Sequence, residues 1–242
     1  MTLSTYKILT FDVVGTLIDF EAGVLAAIRP IAERAGRQID DETILKCFGK
    51  AEGVEHQRTP GLTFVAMLGP TYRTMAAELG LPTEQSDVDA IRVSIPSWPA
   101  FPDSVDALQR LRKRFRLVAM TNSDNWALGH FARTLGEPFD DTVTAEDIGT
   151  CKPDPQFFSY ARGRQSVHGF KLQDYLHVAQ SQYHDIGIAK ELGYDVCWIE
   201  RRQGKAGTGG TPQSEKITRP DYRFASLVEL ADAVDKAPAG KA

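Results

Sequence analysis

The residues of this sequence that could do chemistry stand singly, each just after a short apolar run. Asp12 and Thr16 follow "YKILTF" (6–11), and Thr121, Asn122 and Ser123 end or follow "FRLVAMT" (115–121). Lys152 sits in "CKPDP", and Gln180, Ser181 and Asp185 end or follow "YLHVAQ" (175–180). A carboxylate that is oriented and partly desolvated is a competent nucleophile towards an electrophilic carbon or phosphorus. Thr16, on the turn after Asp12, can hydrogen-bond a carboxylate oxygen or a substrate anion. Asn122 and neighbouring backbone N–H groups can hold negative charge on a substrate. Lys152 supplies a fixed positive charge that keeps Asp12 ionised and offsets repulsion with an anionic substrate. Asp185 pairs with Lys152 or helps place a hydrolytic water, and it also suits the cap of a helix beginning near His184.

Such scattered groups act together only if the fold gathers them. Runs at "DTVTA" (141–145) and "YDVCWIE" (194–200) extend the strand series, and amphipathic segments such as "SVDALQRLRKR" (104–114) and "HDIGIAKELG" (184–193) lie between the later runs. Strands alternating with helices imply βαβ units and a parallel sheet. In an open parallel sheet ligands bind beyond the carboxyl ends of the strands, where these groups fall. Residues 18–97 interrupt the alternation with four successive helical patterns, and "SWPAFPDS" (97–104) restores it. The expected fold is α/β, a doubly wound, Rossmann-like parallel sheet (1–17 and 98–242) with an inserted all-helical cap (18–97). "RRQGKAGTGGTPQSEK" (201–216) is a flexible loop by composition, and "DYRFASLVELADAV" (221–234) a final strand and helix.

Composition excludes other classes. The chain has 242 residues, 25% charged, with a formal net charge of −4. Its one basic run, "RLRKRF" (110–115), is best read as a solvated helix face, so no nucleic-acid partner is expected. Cys47, Cys151 and Cys197 are too few and too far apart for a disulfide framework or zinc cluster. The N-terminus lacks the long apolar stretch of a signal peptide, and no window approaches a membrane span, so a cytoplasmic protein is expected.

Four motifs in order resemble the haloacid dehalogenase superfamily: "FDVVGT", "MTNSD", "CKPDPQFF" and "HVAQSQYHD". The resemblance spans essentially the whole chain. It implies a helical cap over the core, Asp12 as a nucleophile forming a covalent ester, and Thr16, Lys152 and Asp185 as its catalytic companions. Val13, Val14, Thr121, Asn122, Gln180, Ser181, Gln182 and His184 are the residues expected to meet the substrate. A homodimer is an option within the family. Phe20, Phe48, Phe64 or Trp126 could form an apolar wall, or equally pack in the core.

Departures from the family narrow the chemistry. Its phosphatases carry an acid two residues after the nucleophile to protonate a poor leaving group. That position is Val14 here. They also hold Mg²⁺ with several acids in the fourth motif, of which only Asp185 remains, Gln180 replacing another. No metal or cofactor is therefore expected. The pattern is similar to the L-2-haloacid dehalogenases, whose leaving halide needs no acid, and to a relative that opens the ring of L-azetidine-2-carboxylate. Yet the halide-binding Arg of the cap has Gly49 in its place, with Lys50 or Arg58 as substitutes, and a characteristic Tyr is Phe158. The expectation is a metal-independent hydrolase in which Asp12 attacks carbon of a small carboxylate. The alternatives are a Mg-dependent phosphatase and a catalytically silent binding protein.

Overall fold

The computed structural model describes residues 2–205 and 207–238. Six strands form one sheet, every pairing parallel, in the order β3-β2-β1-β4-β5-β6. They are β1 (Ile8–Phe11), β2 (Arg116–Thr121), β3 (Asp141–Thr144), β4 (Tyr175–Ala179), β5 (Asp195–Ile199) and β6 (Tyr222–Phe224). All residues of β1 and β4 are buried, covered on both faces, which is why they read as largely apolar runs, broken only by Thr10 and His177. Phe11 lies level with Ala119 of β2 and Val178 of β4. The next residues, Asp12, Met120 and Ala179, open the crevice where the winding reverses direction.

Between β1 and β2 run α1 (Phe20–Arg34), α2 (Asp41–Arg58), α3 (Phe64–Leu79) and α4 (Gln85–Ser94). Three have side-chain N-caps, Asp19, Asp40 and Thr63, each satisfying a backbone N–H the first turn would leave bare. Gly23 leaves no room for a Cβ against the Trp98 ring, so the chain that leaves β1 and the chain that returns to the sheet are packed together. The remaining helices are α5 (Ser104–Leu111), α6 (Asn125–Thr134), α7 (Ala145–Ile148), α8 (Pro155–Ser166), α9 (Gly187–Glu191) and α10 (Leu227–Lys236).

The basic run 110–115 is not simply a solvated face. Arg110 ion-pairs with Asp232 and Asp235 at 2.5 and 2.7 Å, and Arg114 donates to the Val234 carbonyl at 2.6 Å near the end of α10. These arginines dock α10 on α5. Among the described residues no helix is long and apolar enough to cross a membrane.

Candidate active site

Asp12 sits at the carboxyl end of β1 with both oxygens tethered. Lys152 Nζ is 2.9 Å from Oδ1, and Thr16 donates to Oδ2 at 2.6 Å. Thr16 can aim that proton because its oxygen accepts the Gln180 backbone N–H at 2.8 Å. Gly15 (φ +88°) supplies the left-handed turn between the two.

Lys152 is 1% exposed. Its three N–H bonds go to Asp12, to the Met120 carbonyl at 2.8 Å and to Asp185 Oδ1 at 2.6 Å. An ammonium has only three donors, so Lys152 keeps none for a substrate. Asn122 holds the lysine's backbone, its Oδ1 accepting the Lys152 N–H at 2.7 Å and its Nδ2 donating to the Lys152 carbonyl at 2.9 Å. One Asn122 amide hydrogen is thus spent on the protein itself. Most of its amide braces the Lys152 turn, although it still lines the cleft.

Asp185 is fully buried beneath Lys152, and it also meets His177 Nε2 at 2.9 Å. His177 Nδ1 is in turn 2.9 Å from Thr10 Oγ1. Sequence reasoning leaves His177 as structural, with no motif context to place it in the site. Its place on β4, adjacent to Thr10 on β1, was the available signal. Phe158, at the position of the family's Tyr, packs its ring on His177 at 5.4 Å and is 1% exposed.

The electrostatics reflect burial working against pairing. Burial raises the Asp12 carboxyl above its ordinary value, Asp185 adds to this, and Lys152 and Thr16 only partly offset it. Lys152 therefore moderates the Asp12 pKa rather than fixing it low. Burial also opposes charge on Asp185, but Lys152 and His177 win and bring it down to about 2. Burial disfavours the Lys152 ammonium, yet the two carboxylates hold its pKa above the usual lysine value.

The cleft above Asp12 has a volume of about 440 Å³, counting space open to solvent. Val14, Thr121, Ser123, Gln180, Ser181 and His184 line it with Asp12, Asn122 and Lys152, and Phe20 and Phe64 form an apolar side. Phe48 stands behind Phe20, ring centres 6.2 Å apart. Trp126 does not line the cleft; it is 45% exposed and packs on His130. Two other expected contacts turn away. Val13 is buried in the core, and Gln182 spends its amide on the backbone of Thr218. Asp185 lies under the lysine rather than in the cleft wall.

Sequence reasoning missed two elements of the wall. Glu52 of α2 lines the cleft, 6% exposed, with no hydrogen-bond partner among the described residues and His184 Nε2 3.9 Å away. Burial, aided by Asp12, pushes its carboxyl up to about 8. His184 is held neutral, its pKa brought down to about 3 chiefly by burial. Ser181 Oγ accepts the His184 backbone N–H at 2.9 Å and lies 3.2 Å from its Nδ1. The other ring nitrogen, Nε2, is buried and has no hydrogen-bond partner among the described residues.

The second element is the loop after β5, read from composition as flexible. Gly210 N–H donates to Glu21 at 2.9 Å, and Arg202 pairs with Glu21 and Glu42 at 2.6 and 2.8 Å. This clasp ties the loop to α1 and α2 and brings Thr211 and Pro212 into the cleft. A Cβ on Gly49 would lie 3.0 Å from the Gly210 backbone. The space that an Arg at position 49 would need is filled by main chain. Lys50 and Arg58 do not substitute. Lys50 pairs with Glu78, Arg58 with Glu55, and both side chains are about two-thirds exposed.

Among the described residues no three His, Cys, Asp or Glu side chains gather to hold a metal ion. The donor set does not fit one, and no step proposed for this site is routed through a metal. Cys151 donates to the Leu62 carbonyl at 3.0 Å, and burial pushes its thiol up to about 12, so it is no nucleophile.

Comparison with known proteins agrees with this architecture. The chain is 24% identical over 236 residues to an (S)-2-haloacid dehalogenase of Pseudomonas putida, covering 93% of this chain and 94% of the relative. The structure of an L-2-haloacid dehalogenase superposes with a TM-score of 0.76 at 20% identity, over 96% of this chain and 100% of the other. The enzyme from Xanthobacter autotrophicus with chloropropionic acid covalently bound gives 0.73 at 18% identity, over the same shares. At such identities the structures speak for the fold. The haloacid dehalogenase-like hydrolase family profile matches residues 6–193, and the chain belongs to that family.

Proposed function

We propose that the chain is a metal-independent hydrolase in which Asp12 attacks carbon of a small 2-substituted carboxylate, with residues 18–97 acting as a cap and a cytoplasmic setting. The observation that carries this reading is the doubly tethered Asp12 beside the apolar side chain of Val14, both on the cleft wall. Asp12 is oriented, desolvated and made more basic by burial, all of which favour nucleophilic attack. Val14 offers no proton, so the leaving group must depart without one from that position. When one Asp12 oxygen has formed the ester, the other keeps its donor, Lys152 or Thr16. That donor polarises the carbonyl for attack by water.

The relatives named as dehalogenases support halide as the leaving group. A strained ring nitrogen, as in L-azetidine-2-carboxylate, is the second reading, favoured by Glu52 in the cleft and by the main chain that fills the place of the halide-binding Arg. Turnover in H₂¹⁸O tests the shared mechanism, since water attacks the ester at the Asp12 carbonyl. After repeated turnover, mass spectrometry of the peptide containing Asp12 is expected to find ¹⁸O in the carboxylate. Turnover that labels only the product would overturn the nucleophile. Activity on L-2-chloropropionate, haloacetates and L-azetidine-2-carboxylate, but not p-nitrophenyl phosphate, is expected to survive EDTA.

A further inference from the structure

We infer that Glu52 is the specificity residue for a protonated nitrogen, so that the cleft prefers a zwitterionic 2-substituted carboxylate to a simple anion. The inference rests on the proposed attack by Asp12 on carbon and names the substrate class for it.

The first argument is charge. The charged groups of the cleft wall are Asp12, Glu52 and Lys152, and every Lys152 donor is already spent on Asp12, Asp185 and a carbonyl. Among the described lining residues no cationic donor is left for an incoming anion, whereas Glu52 has no donor of its own and is free to meet a cation. The second argument is Glu52 itself. A carboxyl this deeply buried ordinarily has hydrogen-bond partners, because desolvating it without them is costly. Among the described residues Glu52 has none, and it faces the cleft. A substrate ammonium supplies both the N–H donors and the opposite charge that the site lacks. The flanking Phe20 and Phe64 rings are also favourable to a cation. Gln180 Oε1, whose one protein donor among the described residues is Thr211 at 3.3 Å, adds a second acceptor.

The groups around Glu52 are consistent with this role. Asp12 acts on it from the end of β1, His184 and Tyr183 from the turn after β4, and Cys151 from the loop before α8, while Lys152 lines the same cleft and His56, one turn along α2, packs on His184. The empty cleft favours the protonated carboxyl, and a bound ammonium draws that proton off. The charge is thus favoured when its partner is present.

The chemistry balances. Asp12 forms a bond to the substrate carbon, the C–N bond breaks, and its electron pair goes to nitrogen. Because the nitrogen arrives protonated, it leaves as a neutral amine without an acid at Val14. Water then adds to the Asp12 carbonyl, the ester C–O bond breaks, and Asp12 regains its carboxylate with the water's oxygen. The proton released goes to the amine beside Glu52, and the product is a hydroxy amino acid.

Calorimetric titration of the Asp12→Asn protein with three probes tests this. They are L-azetidine-2-carboxylate, its carbocyclic isostere cyclobutanecarboxylate, and L-2-chloropropionate. The azetidine is expected to bind at least about 10-fold more tightly than either anion. Adding Glu52→Gln should abolish the preference, and Glu52→Asp should keep part of it, which guards against a misfolded variant. Equal binding of the isostere, absence of azetidine binding, or a preference that survives Glu52→Gln would each overturn the inference. If chloropropionate labels Asp12 of the unmodified protein with ¹⁸O while the azetidine fails to bind, the mechanism stands and this inference falls. A preference that depends on Glu52 with no label from any substrate would have the reverse meaning.

Discussion

Asp185 and Glu52 are both buried carboxyls within reach of Asp12's field, yet one is held at about 2 and the other at about 8. The difference is the company each keeps. Asp185 shares one oxygen between the Lys152 ammonium and the His177 ring, and these outweigh the burial that both acids suffer. Glu52 has burial and the Asp12 charge, with no donor against them among the described residues. The floor of the cleft is thus a network whose charges are matched within the protein, with the second Asp185 oxygen, Oδ2, its one buried carboxylate oxygen left without a donor among the described residues. In the wall contributed by α2 and the turn after β4, Glu52 has no hydrogen-bond partner among the described residues, and its neighbour His184 Nε2 lies 3.9 Å away, beyond hydrogen-bond distance and itself unpartnered. A paired floor fixes a nucleophile and an unpartnered wall waits for a ligand. The same burial serves both because pairing decides its net effect.

Breaking the floor is expected to have the largest effect. Lys152→Met leaves Asp12 and Asp185 side by side without a counter-charge in a site where both are buried. Removing one partner of a buried pair costs about 3–5 kcal/mol, which chemical denaturation would read. The variant is also expected to lose turnover, since without Lys152 burial and Asp185 would push the Asp12 carboxyl further towards its protonated, non-nucleophilic form. A loss of stability below about 1 kcal/mol, the range of an exposed pair, would show that solvent reaches this network.

The two acids are expected to give stability profiles of opposite sign. Glu52 is raised from 4.5 to about 8, so the folded protein holds that proton longer than the unfolded chain. Its contribution therefore falls as pH rises from about 4.5 to 8, by at most about 1.4 kcal/mol per pH unit. Glu52→Gln should remove this slope and stabilise the protein increasingly towards pH 8. A difference between the two proteins that does not change with pH would contradict an unpaired Glu52. Asp185 is lowered from 3.8 to about 2, so its contribution is present above 3.8 and lost as pH falls towards 2. That amounts to about 2 kcal/mol, and His177→Phe should reduce it by removing one of the two partners, as seen in acid unfolding curves.

The floor was legible in the sequence because parallel strands carry the residues just beyond their ends to one edge of the sheet. Asp12, Asn122, Lys152 and Gln180 each come soon after an apolar run or in a loop between runs, and the sheet order brings those points together. The doubly wound parallel sheet, the four helices of the insert and the missing acid at Val14 were all readable in the sequence, while the order β3-β2-β1-β4-β5-β6 comes from the structure. The wall was not, since a helix hides which of its polar residues face inward. Glu52 sits among charged residues on α2 and resembles a solvated group, although Ile44, Phe48 and Glu52 fall at intervals of four on the buried stripe. A charge on an apolar stripe was the signal available. The loop after β5 misled for a different reason. Its glycines suggest freedom, but Gly209 and Gly210 are there to let main chain approach Arg202, Glu21 and Phe20 closely.

Gly49→Ala is expected to have the smallest effect, and it probes how the wall is held. Two opposing contributions meet at this position. Replacing a helical glycine by alanine gains about 1 kcal/mol in chain entropy. Against this, the new Cβ lies 3.0 Å from the Gly210 carbonyl carbon and oxygen, an overpacking cost of similar size when main chain must shift. The net change in stability is expected to be under about 1 kcal/mol. The shift itself has somewhere to go, because Gly210 leads directly into Thr211 and Pro212 on the cleft wall. The side chains of Asp12, Thr16 and Lys152 have no hydrogen bond to Gly210, Thr211 or Pro212 among the described residues and are held by their own network. With a substrate in hand, KM should rise a few-fold while kcat is retained, the signature of altered binding rather than altered chemistry. A fall in kcat with KM unchanged would mean that the loop acts on the nucleophile, and that floor and wall are not separable.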